Sequence, residues 1–98
     1  MLYELVCIAR NHGQDGVRDL VRQSALFVLD NNGVVRGFQN MGANLPLYQR
    51  IKAHQEWHTH GWYWAMQFDS SPSTMQSLLT NLKLDERVVR ATTISIKS

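Results

Sequence analysis

From Tyr3 to Ala9 the chain alternates loosely between its two sides. Tyr3, Leu5, Cys7 and Ala9 share one face and Leu2, Glu4, Val6 and Ile8 the other, the two-residue period of a β-strand. Asn11-His12-Gly13 breaks that period. From Asp15 the spacing changes, and Val17, Leu20, Val21, Ser24, Leu26, Phe27 and Val28 recur at helical intervals with Arg18, Arg22 and Gln23 opposite. Asp30-Asn31-Asn32-Gly33 stops the helix, with Gly33 expected to take the left-handed conformation beyond the C-cap. Val34 to Asn40 predicts a second strand, ended at Gly42. The stretch from Ala43 to Gly61 is polar, contains Pro46 and has no clean period, so it is read as a functional loop or extended arm.

Trp62 to Phe68 predicts the most aromatic strand. Trp62, Trp64 and Met66 fall on one face, and Tyr63, Ala65 and Gln67 on the other. Ser71 and Pro72 then supply an N-cap and a first helical residue, and Met75, Leu78, Leu79 and Leu82 an apolar stripe. After Asp85-Glu86-Arg87, Val88 to Ile96 is a β-branched final strand. Strand, helix, strand, strand, helix, strand predicts an α+β ferredoxin-like βαββαβ sandwich: four antiparallel strands with both helices on one face. Residues 1–98 make a single domain in this reading, because the length leaves no room for a second.

Composition adds little until its distribution is considered. Hydrophobic residues are 44% and charged residues 18%, the mixture of a globular chain, and no apolar run reaches the roughly 20 residues of a membrane helix. The formal charge is only +2. Between Asp30 and Asp69, however, Glu56 is the only acid, while Arg36, Arg50, Lys52, His54, His58 and His60 share the stretch. A locally basic middle favours phosphate, because Lys and Arg release condensed counterions on binding. Arg36, Arg50, Lys52, Arg87, Arg90 and Lys97 are therefore candidate RNA contacts, with His54 as a polar arm residue and Trp57 as an aromatic outside the predicted strand core. The alternative for each cation is an ordinary solvated charge.

His54, His58 and His60 invite comparison with a zinc site, but nothing supplies a second half, so no metal is expected. Cys7 is the single cysteine and reads as a buried, unreactive thiol. No nucleophile has a base and orienter, and no glycine-rich loop cradles phosphate, so neither catalysis nor a cofactor nor a small-molecule substrate is expected. The N-terminal residues read as a strand and not as a targeting peptide. Import into an organelle would then use an address within the folded sequence.

An ordered set of short motifs resembles the small-subunit ribosomal protein six family. The residues are Leu2-Tyr3-Glu4-Leu5, Gly33-Val34-Val35-Arg36, Met41-Gly42, Leu45-Pro46-Leu47-Tyr48, Trp62 to Phe68 and Asp85 to Arg90, spread over nearly the whole chain. The His- and Trp-bearing insertion before Gly61 is similar to fungal mitochondrial members. The resemblance implies a non-catalytic protein of the mitochondrial small ribosomal subunit in the matrix. It would pair with ribosomal protein eighteen and bind small-subunit ribosomal RNA at a junction, among other small-subunit proteins. Bacterial members carry two adjacent basic residues after the glycine matching Gly42; Ala43-Asn44 stand here, and Arg50 and Lys52 would take over the contact.

Two rivals share the strand order. An RNA recognition motif would stack bases on Trp62 and Trp64. A small acylphosphatase-type enzyme would use Arg10-Asn11-His12-Gly13 as an anion loop, though without a glycine cradle.

Overall fold

The computed structural model describes residues 1–10, 14–54 and 56–96; the side chains at 14–15, 44, 48–50 and 56 lie outside that description. The elements are β1 (Leu2–Ala9), α1 (Gln14–Asp30), β2 (Val34–Ala53), β3 (Glu56–Asp69), α2 (Pro72–Leu84) and β4 (Val88–Ile96). The sheet order is β2-β3-β1-β4 with every pair antiparallel, the ferredoxin-like arrangement expected from the element order. The expected breaker Asn11–Gly13 lies outside the described residues.

One face of the sheet meets the helices. Leu5 pairs with Met66, Cys7 with Trp64 and Tyr3 with Phe68 across β1 and β3, and Cys7 pairs with Ala91 of β4. Val17, Leu20 and Val28 of α1 and Leu78 and Leu82 of α2 close the same core. Burying side chains of this size supplies about 1.5–3 kcal/mol each relative to exposure. Ser24 sits in this core with its hydroxyl donating to the Leu20 carbonyl at 2.9 Å, so its burial leaves no polar atom unpaired. Leu26, read from spacing as part of the stripe, is instead exposed at the edge of the helix.

Both helix ends follow local chemistry. The Ser71 hydroxyl accepts from the Thr74 amide at 3.2 Å, and Pro72 occupies the first turn, as predicted. At the end of α1 the left-handed residue is Asn32 (φ 65°) and not Gly33. The Asn32 amide donates to the Leu29 carbonyl and the Gly33 amide to the Val28 carbonyl, at 3.2 and 2.8 Å. Gly33 is required for space: a Cβ there would stand 2.6 Å from Val28 Cγ1 and 2.7 Å from the Asp69 carbonyl oxygen.

The larger correction concerns residues 43–61. Of the two expectations the loop gives way and the extended arm remains, because among the described residues β2 and β3 continue as one long antiparallel hairpin to a turn at His54 (φ 51°). The alternation fails because the register shifts four times, between Val35 and Gly37, Asn40 and Gly42, Gly42 and Leu45, and Pro46 and Ile51. Gly42 (φ 133°) takes a backbone conformation that side chains resist, and Pro46 is tolerated because β2 is an edge strand. The Asn40 side-chain oxygen accepts from the Gly42 amide at 3.1 Å and from the Trp62 indole at 2.8 Å, pinning the bulge to the neighbouring strand.

Candidate nucleic-acid interface

Cross-strand pairing separates the two faces of the aromatic strand. Trp64 is 2% exposed within the core and Trp62 packs against it, while Tyr63, Ala65 and Gln67 are on the opposite face with Ile8, Val6 and Glu4. Base stacking on Trp62 and Trp64 from the open face, which an RNA recognition motif needs, is therefore blocked by their orientation. The Cys7 thiol is pushed up to about 12, chiefly by burial, with Asp85 adding to the rise and the Trp64 indole partly opposing it. It stays protonated and inert, as expected.

The candidate cations occupy different settings. Arg36, at the start of β2, binds Asp69 through Nε and Nη2, both at 2.6 Å, and remains largely exposed. Arg87 is held more firmly. Its Nη2 meets Asp85 Oδ2 at 2.6 Å and Gln23 Oε1 at 2.8 Å, and its Nε meets Asp85 Oδ1 at 3.0 Å. The Arg87 hydrogen bond holds the Asp85 carboxyl below its ordinary range, and the same bond raises Arg87. Much of the Arg87 guanidinium is thus committed within the protein.

The remaining candidates gather along and beside the far half of the hairpin. Lys52 is exposed on β2 and pairs across the ladder with Trp57, which is 56% exposed. Arg50 is two residues earlier on the same strand, its side chain outside the described residues. His54 forms the turn and, with Arg90 of β4, lines one depression. Arg90 pairs with Ile8, placing it on the open side of the sheet. Lys97 lies outside the described residues, as does most of the Arg10–Gly13 segment. Among the described residues no group of three His, Cys, Asp or Glu side chains could hold a metal ion. Likewise, no described helix is long and apolar enough to cross a membrane.

A second surface escaped the sequence reading. Between α1 and β2 runs an apolar groove of about 550 Å³, lined by Val21, Ala25, Leu26, Phe38 and Trp62 among others and flanked by Arg18 and Arg22. Phe38 is 52% exposed, and Leu29, Val34 and Met41 on the same two elements are also exposed. The available signal was an excess of apolar residues on α1 and β2 over what one helix face and one strand face can bury.

A comparison of the chain with protein families matches the model of ribosomal protein S6 over residues 2–95. Small ribosomal subunit protein bS6m of Neurospora crassa is 32% identical over 96 residues, which span 98% of this chain and 81% of that protein. The bS6m protein of Bos taurus is 27% identical over 88 residues, spanning 90% of this chain and 70% of its own. In fold, the chain is similar to the 30S ribosomal protein S6 of Thermotoga maritima, with a TM-score of 0.78 at 19% identity over 95% of this chain and 84% of that one. With the topology, the ordered motifs and the family match in agreement, the chain belongs to the ribosomal protein S6 family, as a mitochondrial small-subunit member with a structural and not a catalytic role.

Proposed function

We propose that residues 1–98 work as one domain that binds small-subunit ribosomal RNA together with ribosomal protein eighteen, holding a junction of that RNA in shape. The observation that carries this reading is the far half of the hairpin. From Met41 to Gly61 it bears Arg50, Lys52, His54, Trp57, His58 and His60 against one acid, Glu56, on strands that contribute little to the core. An extended basic ladder supplies phosphate contacts along its length, and the rigid sheet behind it fixes their spacing. Arg36 and Arg90 extend the positive surface toward the two sheet edges, while Arg87 contributes through whatever donors Asp85 and Gln23 leave. The groove between α1 and β2 supports the protein half of the reading, because apolar surface of that size next to an open strand edge suits a polypeptide neighbour better than a phosphate chain.

Replacing Arg50→Glu together with Lys52→Glu tests the RNA half. The double variant is expected to lower the salt slope of binding to a transcript of the junction by about two and to shift the protein off small-subunit particles on a sucrose gradient. Its unfolding midpoint should match that of the parent. An unchanged salt slope would remove the far half of the hairpin from the RNA interface.

A further inference from the structure

The hairpin tip turns back onto the body of the protein. Ala53 and His54 lie against β4, the strand at the opposite edge of the sheet, so the tip crosses the end of β1 to reach it. The crossing is built at Gly61. A Cβ there would stand 2.5 Å from Ile8 Cγ2 and 3.1 Å from the Ala9 carbonyl oxygen, so only glycine lets β3 press this closely on the end of β1. Between the tip, β4 and the last turn of α2 is a depression of about 280 Å³.

Three residues with basic side chains, from three elements, are among those that line it: His54 from the turn, Lys83 from α2 and Arg90 from β4. The rest of its lining is alanine and valine, and among the described residues no carboxylate contributes. Asp85 and Glu86 follow α2 directly; the Asp85 carboxylate is held by Arg87 at 2.6 and 3.0 Å and also feels the charge of His54. The C-terminus of α2 carries partial negative charge, which Lys83, within its last turn, offsets. Three cationic or protonatable donors around a small aliphatic floor suit a compact anion. There is no aromatic surface in the depression for a base and no large apolar wall for a protein side chain.

We propose that this depression receives one backbone phosphate of the small-subunit RNA, held between His54, Lys83 and Arg90, and that Lys83 is thereby an RNA-contact residue. The inference rests on the RNA-binding reading above and adds to it a second point of attachment, at the β4 edge, where the hairpin tip comes beside the last turn of α2. Lys83 carries no sign of this in the sequence. It is 29 residues from His54 and 7 from Arg90, and only the folded hairpin unites them.

The test measures binding of a junction transcript to the full chain across about 50–200 mM salt, comparing the parent with Lys83→Gln, Lys83→Arg and Lys52→Gln. Lys83→Gln should lower the slope by about one, as Lys52→Gln does, and Lys83→Arg should restore it. A parental slope in Lys83→Gln, with a reduced one in Lys52→Gln, overturns this site and leaves the RNA reading standing. If the transcript does not bind at all, the RNA reading fails and inorganic phosphate judges the depression alone. Saturable amide shifts at Lys83 and Arg90, lost in Lys83→Gln, then keep it as a phosphate site. Shifts spread evenly over every exposed lysine and arginine, Arg36 included, overturn it.

Discussion

The near and far halves of the β2–β3 hairpin follow the same two strands and are built on opposite terms. In the near half, Phe68, Met66 and Trp64 are locked beneath the helices, and β3 is hydrogen-bonded on both sides by β2 and β1. In the far half, past Gly61, β3 loses its β1 partner; Lys52 and Trp57 are exposed, and the register slips between Pro46 and Ile51. Continuity of a strand therefore says little about what holds it. The near half is specified by burial, and the far half by backbone pairing and a few anchoring contacts.

Substitutions graded along the hairpin sharpen this contrast. Phe68→Ala, in the near half, should cost about 3–5 kcal/mol in denaturant unfolding, because the side chain is fully buried and its cavity cannot collapse easily. A loss below 1 kcal/mol would erase the distinction between the halves. Gly61→Ala, at the boundary, should cost about 1–3 kcal/mol through overpacking against the stiff Ile8 side chain. Combined with Ile8→Ala, which removes the clashing methyl, the two losses should fall short of their sum; strict additivity would place the strain elsewhere.

Beside the resting place of the tip, Asp85→Asn should lower stability by under about 1 kcal/mol at neutral pH. The sign follows from the depressed carboxyl: the contribution is present above the ordinary carboxylate range and disappears as pH falls through the folded value. The parent and Asp85→Asn unfolding curves should therefore converge in acid, and a gap that persists there argues for a role other than charge. Lys52→Ala, in the far half, should change the unfolding free energy by less than about 0.5 kcal/mol, since the residue is exposed on an edge strand.

What could be read from the chain in advance tracks these two regimes. Element order, the Ser71-Pro72 helix start and the grouping of Tyr3, Leu5 and Cys7, and of Trp62, Trp64 and Met66, on single strand faces follow from local capping and a two-residue period, whereas which face meets the helices is decided by the fold. The far half misled because bulges shift its period, and an edge strand tolerates Pro46 and Gly42 where an inner strand would not. The choice of Asn32 over Gly33 as the left-handed residue depended on how closely Asp69 approaches, a tertiary fact absent from the local motif. Arg50 and Lys52, by contrast, are legible because they are near neighbours in a basic stretch. Lys83 is not, because only the fold brings it beside the depression that His54 and Arg90 also line.

The missing side chain at position 61 has one more consequence. By letting the outer limb of the hairpin lean on the sheet, it fixes much of that limb within the folded protein itself. Ordering a free segment costs about 1–2 kcal/mol per residue, so a limb already braced at its base and its tip surrenders less freedom when gripped. A single hydrogen in place of a methyl group thus sets how closely the outer limb of the hairpin is held against the sheet.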